Sequence, residues 1–460
     1  VTRGPLVVLH DHLDGGVRPQ TVLDLARSAG VATPADSVAD LARWFTVTPD
    51  MSLVEAFSRF DLVGRVMQSP SALRRVAREA CEDLAADGVI YAELRFAPLL
   101  HTLGGLTAAE VIAAVEQGLD DAEGLGLVAR LIVCAMRGES PSTSMAAVQA
   151  ALAAQGRVVG VDLAGAEVGN PASVHAAAFS AAHEAGIGVT IHAGEMDGAH
   201  QVADALQSCA PDRIGHGWRL IDDCVVSGRR IVDLGPTARA VRDGGIPLEV
   251  CLTSNACLGL AIEDHPVRML HDAGFQISLN PDDRAITTTT ASHEIELAAK
   301  VHGFSDYEIA ATTERAAAAA FLAESERTAL VETVRRHWDV YPSRLVHLAE
   351  RGRWEAARSG QSYLPAEFGA DGFIHLSALH QVLTPANRFY KGRTDLVALV
   401  VDAHLIANAL VWEPGTGTLE WFPHLYGALG TDAVLHSVDF LPDANGSFLL
   451  PAELVRAVAG

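Results

Sequence analysis

Apolar and polar positions along residues 1–340 switch repeatedly between two periods. Short, mostly apolar runs at Pro5–Leu9, Gly88–Phe96, Leu127–Cys134, Val158–Leu163, Gly188–His192, Arg213–His216, Leu248–Leu252 and Gln276–Asn280 predict eight strands. Between them, apolar residues at i, i+3 and i+4 predict helices over Arg18–Gly30, Ser71–Asp87, 107–123, Ser144–Ala154, Pro171–Ala185, Val202–Leu206, Gly235–Gly244 and His265–Ala273. Eight strand–helix units over one barrel's length predict a (β/α)8 TIM barrel, with an open doubly wound sheet as the alternative. Only the barrel makes the first and last strands neighbours. Residues 33–69 carry Trp44, Phe45, Met51, Phe57, Phe60 and Met67 without a strand pattern. They read as a helical insertion, either a shelter over a ligand or a satellite core. Further helical patterns at His293–His302, Tyr307–Leu322 and Glu326–Val340 end at Tyr341-Pro342-Ser343-Arg344. A boundary there divides the chain into 1–342 and 343–460. The tail has strand candidates at Phe373–Leu376, Leu396–Val401, Leu410–Glu413 and Val434–Phe440, without long regular helices between them. This predicts a small α+β domain.

Composition narrows the partners. At 49% hydrophobic residues the chain is globular, and its 57 acidic against 34 basic residues give a net charge of −23. That charge repels phosphate backbones and argues against nucleic acid, though it does not bear on nucleosides. The six cysteines include no Cys-x-x-Cys pair, which argues against a thiolate zinc site or a disulfide scaffold and suits a reducing compartment. With no signal-peptide pattern and no apolar run of membrane-spanning length, the expected location is the cytoplasm and no membrane partner is expected. Oligomeric state is not readable from these features.

The chemistry-bearing residues fall at predicted strand ends. His10 and His12 stand two apart on the first strand, so both imidazoles point to one face. Barrel closure brings them to the C-terminal rim with His192 of the fifth strand and Asp282 just past the eighth, a three-histidine, one-aspartate set suited to zinc with room for water. In His192-Ala193-Gly194-Glu195, two small residues let Glu195 overhang the ion as a proton donor. His216, between Gly215 and Gly217, is placed to approach water on the ion. Of the adjacent carboxylates, Asp282 is read as the ligand and Asp283 as a hydrogen-bond acceptor. Gly165 permits close backbone approach by a flat ligand. The plainer readings are a strand-end cap for Asp162, a structural ion pair for Glu93 and Arg95, and a turn hydrogen bond for His216.

The strings Leu9-His10-Asp11-His12-Leu13-Asp14-Gly15, Asp162-Leu163-Ala164-Gly165-Ala166-Glu167, His192-Ala193-Gly194-Glu195, Arg213-Ile214-Gly215-His216-Gly217 and Ser278-Leu279-Asn280-Pro281-Asp282-Asp283 resemble those of the adenosine deaminases, metal-dependent hydrolases of the amidohydrolase barrel type. The resemblance implies one zinc per chain on His10, His12, His192 and Asp282, with His12 also near the substrate. It makes Glu195 the proton donor, His216 the residue that activates or orients the water, and Asp283 a contact to purine N7 and the water. It makes Asp14 the reader of a ribose hydroxyl and the Gly165 amide the partner of purine N3. The flanks depart from the family pattern at Pro281, Arg284 and Leu252. The implied reaction is hydrolysis of adenosine, and of 2'-deoxyadenosine as a further substrate, to inosine and ammonia. The alternatives are another aminopurine nucleoside, such as a modified adenosine or aminodeoxyfutalosine, and a non-catalytic nucleotide-binding scaffold. In the tail, Gly372-Phe373-Ile374-His375-Leu376-Ser377 and Phe422-Pro423-His424-Leu425-Tyr426-Gly427 resemble a small bacterial domain of uncharacterised function related to the ADP-ribosyltransferase-like folds. These strings either line a pocket or fasten a sheet.

Overall fold

A computed structural model describes residues 4–154, 156–338, 341–415 and 420–459. They form two compact units. The first contains the described parts of residues 1–223, 246–268 and 276–338. Its strands are β1 (Leu6–His12), β2 (Val89–Phe96), β3 (Val128–Met136), β4 (Val158–Ala164), β5 (Gly188–Ala193) and β6 (Arg213–His216). After a hairpin of β7 (Cys224–Ser227) and β8 (Arg230–Leu234) come β9 (Leu248–Val250) and β10 (Ile277–Leu279). The parallel sheet runs β1-β2-β3-β4-β5-β6-β9-β10. Its two ends meet where Asp11 and Asp282 form a parallel bridge. There the His12 N–H donates to the Asp282 carbonyl at 2.9 Å and the Asp282 N–H to the His10 carbonyl at 3.1 Å. The expected (β/α)8 barrel is therefore the fold, and the first and last strands are neighbours.

Local chemistry explains most element limits. The helix Pro19–Ala29 starts on a proline, whose missing N–H costs nothing in a first turn, and stops at the left-handed Gly30. Residues 33–69 contain two helices, Val38–Phe45, capped by Ser37, and Leu53–Val66, opened by a Ser52/Glu55 capping box. Leu41, Phe45, Leu62 and Val63 are buried, each stabilising the insertion by about 1.5–3 kcal/mol on removal from water. The helix expected over 202–206 is longer, Ala199–Cys209. The strand expected to reach Leu252 ends at Val250, because Leu252–Cys257 turns helical and the Glu294 carboxylate takes up the Thr253 N–H and hydroxyl in its first turn.

The barrel interior is ionic. Tyr91, Glu93 and Arg95 alternate onto one side of β2, and Glu93 and Arg95 are completely buried. These two do not pair with each other as expected, since residues two apart on a strand run side by side and each finds a partner across the barrel. Arg213 donates to Glu93 at 2.5 Å and to Glu249 at 2.6 Å, while Arg95 donates to Glu249 and to Asp162, both at 2.8 Å. Such a network adds little net stability over an apolar core, but losing one partner strands a buried charge at about 3–5 kcal/mol.

The second unit contains residues 224–245, 269–275 and the described part of 339–460. Its strands are β11 (Arg344–Glu350), β12 (Ser362–Tyr363), β13 (Ile374–His375), β14 (Leu396–Asp402), β15 (Leu410–Pro414), β16 (Trp421–Leu425), β17 (Leu429–Gly430) and β18 (Val434–Phe440). They build antiparallel sheets β11-β14-β18 and β13-β16-β15 and the pair β12-β17. Apolar clusters around Leu399 and Leu425 and around Val400 and Phe440 make this an α+β unit with its own core. The β7–β8 hairpin and the helix Pro236–Gly244 belong to it through Arg230, which donates to the Leu450 carbonyl, and through the Arg239–Asp443 pair at 3.2 Å. Among the described residues no helix is long and apolar enough to cross a membrane.

Candidate metal centre

The four residues expected to bind metal converge. One ligand atom each of His10, His12, His192 and Asp282 lies within 4.8 Å of the others. His12 Nε2 and His192 Nε2 are 3.2 Å apart, and Asp282 Oδ1 is 3.1 Å from His10 Nε2 and 3.5 Å from His12 Nε2. His10 Nε2 and Asp282 Oδ1 are buried without a hydrogen-bond partner. The opposite nitrogens are occupied: His10 Nδ1 donates to Glu249 at 2.9 Å, and His192 Nδ1 lies 3.1 and 2.9 Å from the two Asp162 oxygens. Each carboxylate holds its imidazole in the tautomer whose Nε2 lone pair faces the cluster. Orphaned donors and carboxylate-fixed imidazoles together fit a divalent ion of the zinc class. Burial pushes the Asp282 carboxyl upward, but the imidazoles of His10, His216 and His12 outweigh this and hold it well below the usual range, ionised and ready to ligate.

A second grouping, His10, His216, Cys251 and Asp282, shares two of these atoms. It is the poorer donor set, because burial and then the Asp282 charge push the Cys251 thiol well up and keep it protonated. The Cys251 thiol is occupied by the Glu249 carbonyl at 3.4 Å.

The remaining site residues surround this cluster. His216 Nε2 is 3.7 Å from Glu195 and 3.8 Å from Asp282. His216 and Asp282 both adopt left-handed backbone conformations, with φ of 58° and 62°, a strain typical of functional positions. Burial, reinforced by Asp282 and Glu167, pushes Glu195 up to about 8, so it carries a proton at neutral pH. Burial, then the charges of Asp282, Asp14 and Glu195, push Asp283 well above the carboxylate range, and burial lifts Asp14 to about 6. Gly15 allows this crowding, since a Cβ there would sit 1.9 Å from Asp283 Oδ1. Gly165 follows β4 with φ of 95°.

Several supporting residues were given no role by the sequence, although Asn280 and Glu167 stand inside the family strings. Asn280 Oδ1 accepts the N–H groups of Leu9 and His10 at 2.8 and 3.1 Å, pinning β1 across the barrel seam. Glu167, fully buried, accepts four successive N–H groups, from Gly194 at 2.6 Å, Glu195 at 2.9 Å, Met196 at 2.6 Å and Asp197 at 3.0 Å. It thereby fixes the loop that carries Glu195. Glu249, an acid inside the three-residue strand β9, gave no signal without the barrel's inward register.

Residues 5–337 match the adenosine deaminase family model. Adenosine deaminases of Mycobacteroides abscessus and Mycobacterium leprae are each 40% identical over 344 residues, spanning 73% of this chain and 95% of theirs. The chain belongs to the adenosine deaminase family. Among solved structures, this family member resembles an adenine deaminase from Arthrobacter aurescens at 26% identity and a TM-score of 0.67, covering 73% of this chain and all of that one. It also resembles an N6-mAMP deaminase from Arabidopsis at 28% identity and a TM-score of 0.62, covering 74% and 98%. An amidohydrolase from Burkholderia ambifaria, solved with bound zinc, matches at 26% identity and a TM-score of 0.65, covering 74% and 91%. The deaminase-family barrel is thus a metal-dependent hydrolase of the amidohydrolase type. Residues 348–437 match a family described as a protein of unknown function, DUF952.

Proposed function

We propose that this protein hydrolyses an aminopurine nucleoside, adenosine foremost and 2'-deoxyadenosine with it, to inosine or its deoxy counterpart and ammonia, using one zinc ion. The observation that carries this reading is the meeting of four lone-pair donors, two of them oriented by buried carboxylates, beside a carboxylic acid that is protonated at neutral pH. His10, His12, His192 and Asp282 hold the ion, which when bound supplies a strongly polarised water at neutral pH. Glu195 gives its proton to purine N1 as negative charge develops in the ring. His216 and Asp283 hold the attacking water at C6, Asp14 takes a ribose hydroxyl with His12 alongside, and the Gly165 amide meets N3. Water adds at C6, the C6–N bond breaks, and ammonia leaves.

The likeness to deaminases of adenine and of a methylated adenine nucleotide favours a second reading within the same chemistry, another aminopurine such as a modified adenosine or aminodeoxyfutalosine. A non-catalytic scaffold is disfavoured by the complete ligand set. The deciding experiment is ammonia release from a panel of aminopurine nucleosides, nucleotides and free bases by the zinc-loaded protein. Release from adenosine above the others supports the leading reading; preference for another member replaces it. We further propose 1–342 and 343–460 as the two functional domains. We also propose that the latter is related to the ADP-ribosyltransferase-like folds in fold alone, and draw no activity from it.

A further inference from the structure

Behind His216 lies a buried chain of polar groups whose hydrogen positions are forced. The Val267 N–H, which can only donate, points to His265 Nδ1 at 3.1 Å. That nitrogen is therefore an acceptor, and the proton of His265 sits on Nε2. His265 Nε2 faces Asn255 Oδ1 at 3.1 Å, so the other side of the same carboxamide, Nδ2, faces His216 Nδ1, again at 3.1 Å. Because Asn255 Nδ2 donates, His216 Nδ1 must accept and its proton must be on Nε2. His216, Asn255 and His265 are all at most 3% exposed, so water does not compete for these contacts. His216 Nε2 is buried, has no hydrogen-bond partner and is directed toward Glu195 and Asp282. Asp283 Oδ1 is likewise buried and unpartnered.

We propose that Asn255 and His265 are positioning residues that lock His216 in the Nε2–H tautomer, so that His216 acts on the water as a hydrogen-bond donor and not as its base. The proposal rests on the deaminase reading and assigns His216 one of the two roles, proton acceptor or hydrogen-bond donor, that the reading leaves open to it. A neutral imidazole with its only free lone pair committed to Asn255 has nowhere to take up a proton on the side facing the site. His216 keeps its own proton throughout and takes none from the water.

The tautomer is read directly by 15N-histidine NMR of the zinc-loaded protein. His216 is expected to show a protonated Nε2 and a bare Nδ1; the reverse pattern would overturn the proposal. Asn255→Asp replaces the donor by an acceptor and draws the His216 proton to Nδ1. Assayed at mildly alkaline pH, it is expected to lose about 10²–10⁴-fold in kcat, the scale of a wrongly held catalytic tautomer, with zinc content unchanged and KM within about threefold. Full kcat in this variant would overturn the proposal. His265→Gln, whose carboxamide N–H still faces Asn255, is expected to keep kcat within about tenfold of wild type, and His265→Leu to fall well below it; equal effects count against the relay. Should Asn255→Asp fail to fold, the wild-type tautomer and the His265 pair decide. Ammonia release by the wild-type protein is measured first: its absence would sink the deaminase reading, whereas a His216 bearing its proton on Nδ1 in an active enzyme sinks the relay alone.

Discussion

Asp162→Asn tests how the metal ligands are held. Asp162 accepts from His192 Nδ1 with one edge of its carboxylate and from Arg95 Nη1 at 2.8 Å with the other, in a place completely removed from water. An asparagine has one acceptor and one donor where two acceptors stood. If its oxygen faces Arg95, its NH2 confronts the Nδ1 proton of His192 and drives that proton to Nε2, the atom that must offer its lone pair to the ion. If it turns around, His192 keeps its tautomer but the buried Arg95 guanidinium meets a donor. Either arrangement leaves one buried donor unsatisfied, at about 1–3 kcal/mol. At 1.4 kcal/mol per decade this corresponds to about 5- to 150-fold, in line with the roughly 10- to 100-fold usual for partners that orient a metal ligand. Zinc competition against a chromogenic chelator should therefore show affinity reduced by about 10- to 100-fold, with the fold retained by circular dichroism. Zinc affinity within about threefold of wild type would refute the claim that Asp162 sets the His192 tautomer.

Other consequences are equally direct. Glu195→Gln should keep its zinc by elemental analysis yet lose about 10²–10⁴-fold in turnover. Because burial lifts Glu195 to about 8 and only the protonated acid donates, kcat of the wild-type protein should hold at neutral pH and fall as pH rises through about 8. In Glu167→Gln at least one of the four N–H groups from Gly194 to Asp197 would face a donor, so kcat should fall by about tenfold or more with zinc content unchanged. In the tail, burial lowers the His347 imidazole to about 4 although its Nδ1 donates to the His375 carbonyl at 2.8 Å. The unfolded chain takes up that proton near 6.5, so the stability is full above about 6.5 and is lost as pH falls toward 4, by at most about 3 kcal/mol. Calorimetry over that range should show a smaller loss in His347→Gln than in wild type.

The parts of the site legible from sequence are those with a period. His10 and His12 had to share a face once β1 was a strand, and the strand ends located His192, His216 and Asp282 on one rim. Their supports lie beyond the reach of periodicity. Glu249 and Asp162 matter because they point into the barrel, and that register is set by pairing across strands far apart in sequence. The unusual Arg284 illustrates the same limit. It pairs with Asp11 at 2.6 Å, and Asp11 points to the side of β1 away from His10 and His12, so the departure from the family pattern bears on the strand's outer face. In the tail, β14 was readable as a continuous apolar run because both its faces are covered, Val397, Leu399 and Val401 packing into one apolar cluster and Leu396, Ala398 and Val400 into the other. Its partner β11, with His347 and Glu350 interrupting the pattern, was not.

The bridge between Asp11 and Asp282 also orders events in time. Leu9 and Asn280, hydrogen-bonded across the same seam, are separated by 271 positions. During synthesis β1 therefore waits unpaired on that edge until nearly the whole barrel has been made, and its two histidines stay without Asp282 for as long. Such long-range pairing is slow to form. An ion that ligates both sides of the seam strengthens the last contact the chain makes, so holding metal and closing the ring become one folding event.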